Sequence, residues 1–155
     1  MKLRIIAVGH KMPTWITQGC DEYIKRMPRE ATIQLIELKP DKRAAGKAGE
    51  QVREAEATRI LEAVSKDYLV ALDEHGQEVT TLKLAEKFKS WLTLGRDVSL
   101  VIGGADGLHE SVKKKADWLW SLSPLTLPHG MVRVILTEQL YRAWSVMNNH
   151  PYHRE

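Results

Sequence analysis

The 155 residues carry a formal net charge of +3, with 43% hydrophobic and 28% charged residues, ordinary proportions for a globular chain able to bury a sizeable core. Apolar runs such as VILT and SLVIG are too short to span a bilayer, and the single cysteine, Cys20, excludes an internal disulfide and fits a reducing cytoplasm. The mildly basic balance (pI near 9.0) permits an anionic partner without demanding one.

In chain order, KLRIIAV (2–8) predicts a first strand: Arg4 interrupts the apolar run and no small-residue cleavage site follows, so it is not read as a signal peptide. After the turn-forming GHKMP, the spacing of Trp15, Ile16, Tyr23, Ile24 and Met27 predicts a helix over 14–27, with Thr14 as its N-cap and Cys20 as a small helix residue. TIQLIEL (32–38) predicts a second strand, followed by the basic KPDKRAAGKAGE and a charged helix to about residue 66. YLVALD (68–73) predicts a third strand, ended by EHGQEV. Thr80 or Thr81 caps a helix to about Leu94 with Leu82, Ala85, Phe88 and Leu92 on one face, and DVSLVIG (97–103) is a fourth strand. A short helix then carries Lys113, Lys114 and Lys115, and SLSPLTLPHG (121–130) reads as a short strand and an apolar loop. The last helix, about 131–148, buries Val132, Ile135, Leu136, Leu140, Trp144 and Met147, and places Glu138, Arg142, Ser145 and Asn149 on its other face. No repeat or linker is visible. Strand and helix alternate throughout, which makes the fold class α/β, one domain over 1–155 with a largely parallel sheet.

In an open parallel sheet, ligands bind outside the carboxyl ends of the strands. Three segments leave strands there: LDEHG (72–76), IGGADG (102–107) and SPLTLP (123–128). Gly103, Gly104 and Gly107 give G-G-x-x-G, which lacks the spacer of the dinucleotide fingerprint, and no Walker G-K-[ST] follows. Taken alone, a glycine turn after a strand is more often plain chain reversal. The apolar SPLTLP, with two prolines, either wraps a flat base through its main chain or simply covers the core. His129, His150 and His153 lack the i, i+4 spacing of a helical zinc site, and no G-x-S-x-G elbow exists. Pro151 blocks helical continuation, so PYHRE is expected to leave the last helix in an extended form. There Tyr152 can stack on a base, Arg154 can clamp a phosphate and His153 can exchange a proton, or the tail is merely solvated.

Read together, LVIGGADG, SLSPLTLPH, VRVILTEQLYRAWSVMNNHPYHRE and KLRIIAVGHKMPTWI closely resemble the bacterial RlmH family, over essentially the whole chain. That family belongs to the SPOUT class and methylates N3 of a pseudouridine in the helix 69 region of 23S rRNA. The resemblance implies a C-terminal trefoil knot, which general rules of chain topology do not favour. It implies a pocket for S-adenosyl-L-methionine built from Leu72, Asp73, Gly103, Gly104, Ser123, Pro124, Leu125, Thr126, Leu127 and Pro128. It also implies a cytoplasmic homodimer whose active site is completed across the interface, acting on the assembled ribosome with no membrane and no metal.

Attack by the ring nitrogen is eased by a base or by cations that stabilise the anionic ring. His153 is the candidate base, Arg154 and Arg142 are candidate stabilisers, and His129 is a second candidate near the methyl donor. Tyr152, His153 and Arg154 are expected to bind the target base. Arg26, Arg29, Lys39, Lys42, Arg43, Lys47 and Lys113 to Lys115 are either rRNA contacts or a solvated surface. Two competing readings are a nucleotide-dependent α/β protein of another type, disfavoured by the missing spacer, and a non-catalytic ribosome-binding factor, which has no need of a dry pocket.

Overall fold

The computed structural model describes residues 1–9, 11–40, 49–104 and 107–154. Lys42, Arg43 and Lys47 of the basic stretch, and Ala105 and Asp106 of the glycine turn, lie outside the described residues. The strands β1 (Lys2–Val8), β2 (Thr32–Leu38), β3 (Tyr68–Gln77), β4 (Val98–Ile102) and β5 (Trp118–Trp120) form one parallel sheet in the order β2-β1-β4-β3-β5. The helices are α1 (Thr14–Ile24), α2 (Gly49–Val64), α3 (Thr81–Leu92), α4 (Glu110–Lys115) and α5 (His129–Met147), followed by a 3-10 turn at Pro151–Arg154.

A parallel sheet is covered on both faces, so its central strands are apolar on both sides. β1 shows this residue by residue. Leu3, Ile5 and Ala7 face a layer with Leu84, Phe88 and Trp91 of α3 and Leu136, Leu140 and Ala143 of α5. Ile6 and Val8 face the opposite layer, with Ala57, Ile60 and Val64 of α2 and Val112 of α4. α5 also packs on α1, which places the longest helix at the centre of one face.

Several local expectations are corrected. Thr14 is the first helical residue and not the cap: Pro13 stands at the N-cap with no side-chain hydrogen bond, and α1 stops at Ile24. Thr80, not Thr81, caps α3 by accepting from the Lys83 N–H at 3.2 Å. The buried face of α3 is Leu84, Ala85, Phe88 and Trp91, while Leu82 is 66% exposed because it lies round the helix from that face, although Leu84 in the same turn is buried. The short strand lies at Trp118–Trp120, before SLSPLTLPHG rather than within it. β3 runs on to Gln77, with an irregular excursion between Leu72 and Gln77, both of which pair with Trp120.

The tail is not extended. α5 closes through Asn149, whose φ of +55° turns the chain left-handed, with the His150 N–H on the Ser145 carbonyl at 2.9 Å and the Asn149 N–H on that of Val146 at 3.4 Å. Pro151 then begins a new 3-10 turn. Proline's fixed φ forbids the helix before it but suits the first residue of the next one.

Candidate functional site

The connections leaving β1 and β4 run to opposite sides of the sheet, so their carboxyl ends open a crevice. Beside it lies a cavity of about 450 Å³, within the range usual for small-molecule sites. The three segments singled out from sequence converge on it. Leu72 and Asp73 come from the β3 excursion, Gly103 and Gly104 from the turn after β4, and Ser123, Pro124, Leu125, Thr126 and Leu127 from the loop after β5. Pro128 does not line it; it stands at the N-cap of α5. Ile102 of the IGGADG segment and Val132 of α5, together with Leu108, Trp120 and Leu122, which the sequence reading did not single out, complete the apolar wall.

Close backbone approach builds this edge. A Cβ on Gly103 would sit 2.8 Å from the Gly107 carbonyl carbon, and one on Gly76 would sit 2.7 Å from the Leu119 and Trp120 main chain. The returning end of β3 is tied to β5: the Ser121 N–H donates to the Gln77 carbonyl at 3.0 Å and Trp118 Nε1 to Gln77 Oε1 at 2.8 Å. Ser123 Oγ accepts from the Leu125 N–H at 2.9 Å, folding the loop so that Leu125 projects outward, 74% exposed. Asp73 is held at the mouth by Lys113 Nζ at 3.2 Å.

His129 enters the cavity from the start of α5. Its Nε2 accepts from Arg133 Nε at 3.0 Å, one helical turn on. Burial, then the Arg133 charge, push the His129 ring below the ordinary histidine range, against a smaller opposing effect of the Gly103 main chain. A neutral ring whose Nε2 lone pair is already engaged has no free site for a further proton. Arg133 escaped the sequence reading, although a charge among the apolar residues of PHGMVRVIL was a visible signal.

The other candidates gather elsewhere. Tyr152 Oη donates to Glu138 Oε1 at 2.9 Å, Arg142 Nη2 pairs with the same carboxylate oxygen at 2.7 Å, and the Arg142 guanidinium lies 4.9 Å from the Tyr152 ring centre. Tyr152 also leans on Tyr141, with centroids 4.8 Å apart, and Arg26 stands 6.0 Å from the Tyr152 ring. Burial first, then the Tyr23 hydroxyl and Glu138, hold the Tyr152 phenol well above the usual tyrosine range. Glu138 keeps Arg142 protonated. His153 Nδ1 lies 3.4 Å from Ser145 Oγ, and Arg154 is exposed. Glu138 is nine residues beyond His129, roughly 13 Å along the helix. None of Arg142, Tyr152, His153 and Arg154 lines the cavity of its own chain.

The cavity is thus a shaped apolar pocket, and further along α5 and the tail lies a separate cationic, aromatic cluster. The family described as "Predicted SPOUT methyltransferase" matches residues 1–153. The chain belongs to the SPOUT methyltransferase family. A protein of Methylobacillus flagellatus named Ribosomal RNA large subunit methyltransferase H is 73% identical over 155 residues, 100% of both chains. One of the same name from Burkholderia lata is 57% identical over 155 residues, 99% of both. The solved structure of a probable methyltransferase from Bordetella pertussis Tohama I superposes with a TM-score of 0.58 at 16% identity, covering 91% of this chain and 95% of that one, and so shares the fold. In this SPOUT methyltransferase, the cavity sits where the parallel sheet's carboxyl edge and the start of α5 meet.

Proposed function

We propose that this chain, read as one methyltransferase domain over 1–155, methylates N3 of a pseudouridine in the helix 69 region of 23S rRNA on the assembled ribosome, using S-adenosyl-L-methionine. The observation that carries the reading is the cavity formed by the three strand-end segments, in a chain 73% identical to a ribosomal RNA large subunit methyltransferase H. The fit of the donor is supported by chemistry at the cavity. Gly103 and Gly104 present bare main chain, Leu72, Leu108, Leu122 and Leu127 offer apolar faces, and Asp73 and Glu74 place carboxylates near a cationic ligand. The bound donor supplies an electrophilic methyl on a sulfonium; the protein's task is then to hold two reactants in line and keep water out.

The tail supplies the acid–base chemistry in this reading. The Ser145 hydroxyl donates its only hydrogen to the Arg142 carbonyl at 2.7 Å, so His153 meets Ser145 as a donor at Nδ1. That leaves the His153 Nε2 lone pair to take the N3 proton as the N–CH₃ bond forms. Arg154 stabilises the anionic ring, and Tyr152 stacks on the target base once displaced from Glu138. Arg142 anchors the tail through Glu138. His129, with Nε2 engaged by Arg133, shapes the pocket instead of carrying the proton. Because these groups stand roughly 13 Å from the cavity end of α5, the reading has the tail of one subunit close over the pocket of the other, in a cytoplasmic homodimer of trefoil-knotted chains. The rRNA partner then sees both subunits at once.

Incubation of protein, ribosomes and labelled S-adenosylmethionine, followed by mass analysis of rRNA fragments, tests the reading. One added methyl on a pseudouridine of 23S rRNA is expected. Binding to ribosomes without methyl incorporation overturns it in favour of a ribosome-binding factor.

A further inference from the structure

Arg133 is only 1% exposed, on a face of α5 that is otherwise in the core. Its three nitrogens have different fates. Nε donates to His129 Nε2 at 3.0 Å, Nη1 lies 3.5 Å from Glu37 Oε2 on β2, and Nη2 is buried with no hydrogen-bond partner among the described residues. Gly9, just past β1, is pressed against this assembly: a Cβ there would lie 3.0 Å from Arg133 Nη2 and 3.3 Å from His129 Nε2. The pair therefore fills the crevice at the ends of β1, β2 and β4. A buried guanidinium with an unpaired nitrogen destabilises a fold, and an apolar residue of similar volume is often more stable in such a place. Packing alone does not account for the arginine.

A guanidinium is a donor only, so the ring nitrogen it meets must be bare, and a neutral imidazole with bare Nε2 carries its proton on Nδ1. In water the opposite tautomer of neutral histidine is the commoner one. The groups facing the ring among the described residues are Arg133 from α5, Glu37 from β2 and the Gly103 main chain after β4. Only the last can take an Nδ1 proton without a competing charge.

We propose that Arg133 is a positioning residue: braced by Glu37, its Nε–H holds His129 as the Nδ1–H tautomer directed at the Gly103 main chain, and so fixes the cavity wall where the glycine turn meets α5. Only the identity of the cavity's occupant rests on the methyl-donor reading. The ring geometry does not.

The test uses the ligand-free full chain with ¹⁵N-labelled histidine. The His129 ring, assigned by its loss in His129→Gln, is expected to show a bare Nε2 and a protonated Nδ1 at pH 7.5. In Arg133→Met the ring shifts toward the Nε2–H form, and affinity for S-adenosylhomocysteine falls about tenfold, the scale of one charge-assisted hydrogen bond. Arg133→Lys keeps the charge but has no Nε–H, and it restores neither readout. A purely structural or electrostatic role predicts that lysine rescues both. Nε2–H in the wild-type chain overturns the proposal whether or not the variants fold, and so does unchanged Nδ1–H in a folded Arg133→Met. A ring found as stated in a chain that binds no S-adenosylhomocysteine sinks the methyl-donor reading and leaves the Arg133 assignment intact.

Discussion

His129 and His153 lie at opposite ends of one helix and are held in opposite ways. At the cavity, Arg133 takes up the His129 Nε2 lone pair, and the ring shares the lining with glycine main chain and leucine side chains. At the tail, Ser145 meets His153 from the other side of the ring, among tyrosines, arginines and one carboxylate. The first region offers shape and backbone; the second offers charge and stacking surface. A group-transfer site needs both a donor pocket and a group that handles the proton. In the proposed reading one chain supplies both, but not at the same place.

The largest test of that division is to cut it. Ending the chain after Asn149 removes His153 and Arg154 without touching any residue that lines the cavity. Methylation of ribosomes is expected to fall at least about 100-fold, the lower range for loss of general acid–base help, with S-adenosylhomocysteine affinity within about twofold of wild type. Arg154→Ala moves in the same direction with the fold intact. If either change weakens cofactor binding as much as turnover, the two regions are one. The converse change is Gly103→Val. Its Cβ starts 2.8 Å from backbone, so the turn must shift at a cost of about 1–3 kcal/mol, and calorimetry should show S-adenosylhomocysteine binding reduced about tenfold or more.

The two regions were also unequally legible. The pocket segments after β3 and β4 could be named from sequence because the strands at 68–73 and 97–103 announce themselves by apolar runs, and the geometry of parallel sheets then says where ligands go. The excursion of β3 was missed and the short β5 was placed a few residues too late, because each depends on backbone approaching backbone at Gly76, a tertiary fact with only a glycine as its trace. On α3, Leu82 stands at helical spacing from Ala85 yet lies in solvent; one i, i+3 step does not say where the buried face is centred, which here runs through Leu84, Phe88 and Trp91. For the tail, Pro151 was read as a stop when it is also a start, and the ladder Glu138–Tyr152–Arg142 that holds the 3-10 turn spans positions no local rule connects. Arg133 was hidden by the habit of counting only apolar residues on a buried helix face.

A smaller effect sharpens the tail's side of the comparison. Tyr152→Phe removes the hydroxyl that reaches Glu138 and leaves the carboxylate to Arg142 and Gln139. The expected loss is about 1 kcal/mol, seen as a melting temperature lower by roughly 2–4 °C. Methylation should fall severalfold, far less than on truncation, because the ring remains to stack. An effect equal to truncation would mean that the hydroxyl, not the ring, is what the substrate meets.

The smallest effect concerns the cavity histidine and its pH window. His129 is held below its ordinary value of 6.5 in the folded chain, chiefly by burial, so below that pH the unfolded chain binds a proton that the folded chain declines. Stability therefore rises as pH increases through this range and levels off above about 6.5. Glu22 and Glu50 are depressed too, by Lys25 and Arg53 respectively, but their contribution fades only as pH falls below 4.5, so the windows separate. Melting temperatures at half-unit steps from pH 5 to 7.5 should climb in the wild type and climb less in His129→Gln, whose side chain has no proton to decline. A slope in His129→Gln equal to that of the wild type would mean that the cavity ring takes up a proton as readily in the folded chain as in the unfolded one, and burial would not be what governs it.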